Sequence, residues 1–243
     1  MLEHIKLDNL LFIDIETVPA APNFSELSNA MQELWAYKHS LVSKAENETS
    51  EDGYLMRAGV YAEFAKIICI SMGYFYTEKT GKRILRLKSF SGDNEKELLS
   101  AFAELLSSKF NKPNIYQFCG HNIREFDIPF ICRRMLVHQT PFPKLLDKAG
   151  KKPWESQDVD TLQLWKFGDY KHYTSLKLLA ELLQIPTPKD QIEGKDVCRV
   201  YWQENGLQHI VEYCQKDVAT VARLILRFKG ESGTLQEQDI VIV

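Results

Sequence analysis

One stretch near the N-terminus decides the fold of this chain: Leu11-Phe12-Ile13-Asp14-Ile15-Glu16-Thr17. Apart from its acids it is apolar and rich in β-branched side chains, which is typical of a β-strand. Side chains alternate between the two faces of a strand, so Ile13 and Ile15 share one face. Phe12, Asp14 and Glu16 share the other. Two carboxylates about 4 Å apart repel by roughly 4 kcal/mol at an effective dielectric constant near 20. We therefore expect a cation, a basic partner or open water beside them, the simplest alternative being a polar strand end in solvent.

Length and charge limit the function classes. The chain has 243 residues, 44% of them hydrophobic, which is enough for one large core, so we expect a single domain over 1–243. A net charge of −3 and a pI of about 6.1 argue against a broad basic surface that binds duplex nucleic acid without specificity. A nucleic acid would have to be held locally, by metal ions and a few basic side chains.

The cysteines and the N-terminus indicate the compartment. The five cysteines are scattered and never spaced as a metal pair, so we expect reduced core residues. No basic leader precedes an apolar segment, and no apolar run approaches the roughly 20 residues of a membrane span. These features predict a cytoplasmic protein without a membrane partner.

An insertion of about 20–65 is predicted between the first two strands. Apolar positions recur at near-helical spacing through residues 23–44, and an acidic stretch at 46–53 is predicted to be a mobile surface loop. Because the insertion leaves directly from the acidic strand, it forms either a bracing helix or one wall of a cleft.

The remaining pattern predicts an α/β domain. Strands are expected at 67–76, 83–90, 115–119 and 159–164, and helices at 94–110, from Asp127, from Thr174 or Ser175 through Leu183, and twice more before the end. The first three strands should be antiparallel within a mixed sheet flanked by helices. The tail at 231–243 is expected to be disordered, with an edge strand or a contact to a second copy as alternatives.

A second polar stretch lies where a strand ends and a helix begins: Gly120-His121-Asn122-Ile123-Arg124-Glu125-Phe126-Asp127-Ile128-Pro129. Ligand sites collect at such ends of open α/β sheets, so Asp127 is able to share space with the first two acids. The alternative is purely local, with Asp127 as an N-cap and Asn122 as a turn former.

A third constellation lies on a late amphipathic helix. Tyr213 and Asp217 are one turn apart at the margin of its apolar stripe, so both face the sheet edge. A solvated aspartate beside a half-buried tyrosine is the alternative. Three such signals in this order are much less expected by chance than any one alone.

Together the three motifs resemble the DEDD superfamily of 3′→5′ exonucleases, in its tyrosine-bearing branch (DEDDy). The chain is most similar to the proofreading exonuclease domain of family B DNA polymerases, and the resemblance spans nearly its whole length. It implies a ribonuclease H-like fold. The histidine branch would place histidine five residues before the last aspartate, where this chain has Glu212.

The resemblance also implies two Mg²⁺ or Mn²⁺ ions held by Asp14, Glu16, Asp127 and Asp217. Asp14 would bridge the ions, Glu16 and Asp217 would complete the water-activating site, and Asp127 would hold the second ion. Tyr213 would orient the attacking water as a neutral phenol. The residues expected to contact the terminal nucleotide are Thr17, Asn122 and Phe126, although core packing is an equal alternative for Phe126.

The leading hypothesis is a free-standing exonuclease that releases nucleoside 5′-monophosphates from the 3′ end of single-stranded DNA. An exoribonuclease and a catalytically silent nucleic-acid-binding module are the alternatives. Asp160 is expected to be solvated at a strand end, with an acid that supports the metal site from behind as the alternative. The lysines at positions 144, 148, 151, 152, 166 and 171 either track phosphates or, as we expect, form a solvated surface. The sequence identifies no polymerase or repair partner.

Overall fold

The protein is built on a six-stranded mixed sheet. In the computed structural model the described residues are 2–43, 47–152, 155–169, 171–186, 192–231, 233 and 235–243. The strands are β1 Leu10–Pro19, β2 Ala65–Thr77, β3 Arg83–Ser91, β4 Gln117–Gly120, β5 Val159–Asp160 and β6 Ile240–Ile242. Their order across the sheet is β5-β4-β1-β2-β3-β6. The β1–β2 and β2–β3 pairs are antiparallel and the other neighbours are parallel, which confirms the predicted mixed sheet.

Helices cover both faces of this sheet. They are α1 Asn29–Val42, α2 Ser50–Arg57, α3 Glu95–Lys109, α4 Asp127–His138, α5 Thr161–Lys166, α6 Leu176–Leu182, α7 Val197–Glu204 and α8 Leu207–Lys229. Within the described part of the chain, none of them combines the length and apolar character that a membrane crossing requires.

The central strand β1 separates two cores. Ile13 and Ile15 pack with α3 and α4 on one face, whereas Phe12 packs with α8 on the other. This confirms the predicted alternation, because a strand buried on both sides must place successive side chains in different cores. It follows that Asp14 and Glu16 lie on the α8 face. The register of β1 against β2 shifts between Glu16 and Thr17, so a bulge directly follows the second acid.

The insertion contains two helices, not one helix and a loop. α2 begins at Ser50 because Thr49 and Asp52 form a capping box: the Thr49 hydroxyl oxygen accepts from the Asp52 amide at 3.1 Å, and the Asp52 carboxylate accepts from the Thr49 amide. Acids in a first turn also suit the helix dipole. The predicted surface loop is therefore wrong for residues 50–53, and Glu46 lies outside the described residues. Trp35 of α1 and Tyr54 of α2 are fully buried in the insertion's own small core.

Two further predictions of local structure are wrong. The strand predicted over 159–164 ends at Asp160, and α5 follows because the Asp160 carboxylate accepts from the amides of Leu162 and Gln163. The tail expected to be disordered forms β6, which pairs in parallel with the outer edge of β3. The edge strand considered as an alternative is thus the structure observed.

Candidate active site

The two acids of β1 lie beside α8 and are largely shielded from solvent. Glu16 is 8% exposed and Asp14 is half-buried. Cys214 of α8 lies against them, and its thiol donates to the Asp14 carbonyl oxygen at 3.4 Å. One carboxylate oxygen of each acid and the Cys214 sulfur lie within 4.8 Å of one another. The two strand acids therefore face protein, and the alternative of an open polar strand end does not describe them.

Asp127 joins this pair from the other side of β1. It is the first residue of α4, is 3% exposed, and its Oδ1 accepts from the Ile15 amide at 3.1 Å. Phe126 occupies the N-cap position and makes no side-chain capping bond. The carboxylate is therefore anchored to the backbone residue between the two strand acids, which is a tertiary contact and not the local N-cap considered as an alternative.

Asp217 and Tyr213 complete the group from α8. The helix presents its apolar stripe to the sheet, with Cys214 and Val218 fully buried, and both residues stand half-buried at the margin of that stripe. A hydrogen bond links the Tyr213 side chain to Asp217, and after burial the charge on Asp217 is the next cause that raises the pKa of the phenol. The tyrosine is consequently a neutral hydrogen-bond donor near neutral pH.

The four carboxylates lie close enough to influence one another's pKa values. Burial and then the charges of Asp217, Glu16 and Asp127 raise the pKa of Asp14 well above its ordinary range. Burial and then Asp217 raise the pKa of Glu16 in the same way. Burial and neighbouring charges raise the pKa of Asp127 to about 7. The four acids thus repel one another, which is the electrostatic setting that a bound cation relieves.

The donor chemistry of the cluster fits a hard divalent cation. Burial raises the pKa of the Cys214 thiol, and its hydrogen is donated to the Asp14 carbonyl oxygen, so the thiol is a weaker ligand than the carboxylates beside it. The remaining donors are carboxylate oxygens, which are the ligands that Mg²⁺ and Mn²⁺ prefer. Softer metals are selected by thiolate ligands instead. The residues present therefore fit the ions expected from the sequence.

The three residues expected to contact substrate have different surroundings. Asn122 has a left-handed backbone (φ 66°), and its buried Oδ1 has no hydrogen-bond partner among the described residues. The Phe126 ring is half-buried against the main core and lies 5.3 Å from the ring centroid of Phe130. The hydroxyl of Thr17 donates to the Gly59 carbonyl at 2.7 Å and ties β1 to the end of the insertion. Of the three, Asn122 has the buried polar atom whose hydrogen bond is unmade among the described residues.

Asp160 supports the site from behind, which is the alternative considered for it and not the interpretation favoured from the sequence. It is 1% exposed, so the predicted solvation is wrong. Besides capping α5, its carboxylate accepts from the amides of Asn122 and Arg124, each at 3.0 Å. Asp160 therefore fixes the backbone of the segment that presents Asn122 and Asp127. The available signal was an aspartate directly before an apolar helical run, which is the ordinary N-cap pattern.

The lysines expected on a solvated surface include one exception. Lys148 forms an ion pair with Asp158, and its ammonium lies 5.2 Å from the ring centroid of Phe118. Burial lowers the pKa of this lysine. Lys148 thus holds the loop before β5 and is not available to follow a nucleic-acid backbone.

A mixed sheet whose first three strands are antiparallel, with acids gathered at the central strand, defines a ribonuclease H-like domain. Part of a family B DNA polymerase from the hyperthermophilic archaeon Pyrobaculum calidifontis has a similar fold, with a TM-score of 0.56 and 12% identity to this chain. That similarity covers 90% of this chain and 24% of the polymerase, so the chain spans about a quarter of that protein's length.

The chain belongs to the family described as predicted 3′-5′ exonucleases related to the exonuclease domain of PolB, whose model matches residues 60–242. The match includes Asp127, Tyr213 and Asp217, whereas Asp14 and Glu16 precede it. A search of curated proteins gives no match.

Proposed function

We propose that this protein is a divalent-metal-dependent 3′→5′ exonuclease that removes nucleotides from the 3′ end of single-stranded DNA. What supports the proposal is the proximity of Asp14 and Glu16 on β1, the bond from the intervening Ile15 amide to Asp127, and the place of Asp217 and Tyr213 on the helix packed over them. Such a cluster costs folding free energy, and a protein without a cation to bind would gain from losing it.

The four carboxylates are the groups that would hold Mg²⁺ or Mn²⁺. Two such ions, when bound, would lower the pKa of a bound water, so that hydroxide is available near neutral pH, and would neutralise the charge that develops on the leaving 3′ oxygen. The chain's own contribution is to keep the carboxylates fixed: the Ile15 amide holds Asp127, and the Cys214 thiol holds the backbone of Asp14. The products are nucleoside 5′-monophosphates.

Tyr213 and Asn122 would act on water and on substrate. The phenol of Tyr213 is kept protonated, so it serves to orient the attacking water by a hydrogen bond and not to take its proton. The Oδ1 of Asn122 is a buried acceptor at the end of β4, suited to a donor on the terminal nucleotide. Thr17 would support the same nucleotide through the backbone of β1, whereas Phe126 packs against the core behind it.

A labelled-strand assay tests the proposal. We expect a 5′-labelled DNA single strand to shorten to a ladder with Mg²⁺ or Mn²⁺ and to stay intact in EDTA. Asp14→Ala should abolish shortening, whereas Asp8→Ala, at an exposed carboxylate on the surface, should not. A strand that stays intact with both metals would refute the proposal. A matched RNA strand run beside it distinguishes DNA from RNA as the substrate, because only RNA offers the 2′-hydroxyl.

A further inference from the structure

Tyr173 is an exposed aromatic residue beside His121, at the start of the segment that carries Asn122 and Asp127. It lies in the segment between α5 and α6, and its side chain is 65% exposed. Burial of its hydroxyl end, followed by the charges of Asp127, Asp160 and Asp14, raises the pKa of its phenol. Most of the residue therefore faces solvent, while the phenol lies close enough to these acids to be influenced by their charge.

His121 holds this tyrosine in place. The Nε2 of His121 donates to the Thr174 carbonyl at 2.8 Å, and its Nδ1 lies 2.9 Å from the Thr161 hydroxyl. Burial lowers the pKa of the imidazole, so it stays neutral and its tautomer is fixed by the carbonyl, which only accepts. The Tyr173 ring meets the imidazole edge-on, with centroids 6.3 Å apart and planes at 70°. An exposed ring is thus anchored by the residue that directly precedes Asn122.

The aromatic residue expected from the sequence to stack on substrate is otherwise engaged. Phe126 packs against the core and against Phe130, so much of its ring surface is already covered. Tyr173 offers an open aromatic surface at the same edge of the sheet. Bases of single-stranded nucleic acid stack on such surfaces without regard to sequence.

We propose that Tyr173 positions the 3′-terminal nucleotide by stacking its ring on the terminal base, next to the acceptor of Asn122. This inference rests on the proposed exonuclease function. Tyr173 is a positioning residue in this role, and Tyr213 remains the tyrosine beside the reacting atoms.

The test uses two DNA strands that differ only at the 3′ end, where one carries a normal nucleotide and the other a sugar without a base. Initial rates for removal of that terminal unit give kcat and KM for the wild type, Tyr173→Ala and Tyr173→Phe. We expect Tyr173→Ala to raise KM for the base-bearing strand by roughly 5- to 150-fold, the range for loss of one base–aromatic stack. Tyr173→Phe should stay within about threefold, because it keeps the ring. For the baseless strand Tyr173→Ala should match the wild type.

Tyr76→Ala is the matched control. Tyr76 is a partly exposed tyrosine of β2, five residues beyond Ser71, the partner of Asp14 in the sheet, and so lies about 17 Å along the strand from the acids. It should change neither strand's KM, and thermal unfolding should show all variants folded. Equal KM values for wild type and Tyr173→Ala, or the same increase on both strands, would overturn the inference. Failure of the wild type to shorten either strand would overturn the proposed function itself, and the inference with it.

Discussion

Replacing Asp127 with asparagine should stabilise the metal-free protein. The carboxyl is 3% exposed, and burial together with neighbouring charges raises its pKa from 3.8 to about 7. A group whose pKa is higher in the folded than in the unfolded protein binds its proton more tightly when folded. Stability is therefore greatest below the unfolded value and falls as the pH rises towards the folded value.

The size of this penalty follows from the two pKa values. It is near zero at pH 3, about 2 kcal/mol at pH 5 and about 4 kcal/mol at pH 8, where the group is ionised in both states. Asparagine is neutral throughout and its Oδ1 is able to accept the same bond from the Ile15 amide. We expect Asp127→Asn to gain up to about 4 kcal/mol at pH 8 and little at pH 3.

Urea unfolding in EDTA at these pH values measures the difference. Asp8→Asn, at an exposed acid, controls for the general change of net charge and should move the free energy of unfolding by less than about 0.5 kcal/mol. An Asp127→Asn protein that is less stable than the wild type at pH 8, or whose gain does not depend on pH, would refute the reasoning. The same variant should lose nuclease activity, so stability and function change in opposite directions.

Three more substitutions probe separate parts of the site. Tyr213→Phe should lower kcat by about 10- to 100-fold with KM nearly unchanged, because the ring stays and only the hydroxyl that orients the water is lost. An unchanged kcat would contradict the role of Tyr213 in orienting the water. Asp160→Ala should lower the free energy of unfolding by about 2 to 4 kcal/mol, because the amides of Asn122, Arg124 and Leu162 lose their acceptor. A lower melting temperature is the expected result, and an unchanged one would contradict the role of Asp160 in holding these amides. Gly120→Ala should reduce stability and activity together, because a Cβ there would lie 2.7 Å from the Ile13 carbonyl oxygen. Gly194→Ala, with open space around it, is the control for melting temperature. Equal melting temperatures for the two variants would exclude the predicted clash.

The parts of the fold set by local periodicity were predictable from the sequence. The alternation of β1 and the apolar stripe of α8 follow from strand and helix geometry, so the faces of Asp14, Glu16, Tyr213 and Asp217 followed too. Their burial against one another depends on packing between distant segments. No local pattern states that Asp127 would bond to an amide 112 residues earlier in the chain.

The errors have the same physical origin. Glu51 and Asp52 are acids that look like a loop by composition, yet a reciprocal cap at Thr49 makes them the first turn of α2. Asp160 looks like a solvated strand end, yet it becomes buried because amides 36 to 38 residues earlier in the chain converge on it. A short polar side chain has many partners available, and the one it takes is decided by tertiary structure.

The position of the site follows from where the sheet stops. β4 pairs with β1 only from Leu10 to Phe12, so on that edge β1 continues past its neighbour. An amide left unpaired in the protein interior costs free energy, and the Ile15 amide on that edge takes the Asp127 carboxylate as its acceptor. The same bond that satisfies the strand thereby brings the third acid beside Asp14 and Glu16. A longer β4 would pair the amide with backbone and leave Asp127 no anchor, so the early end of β4 is a structural requirement of the acidic cluster.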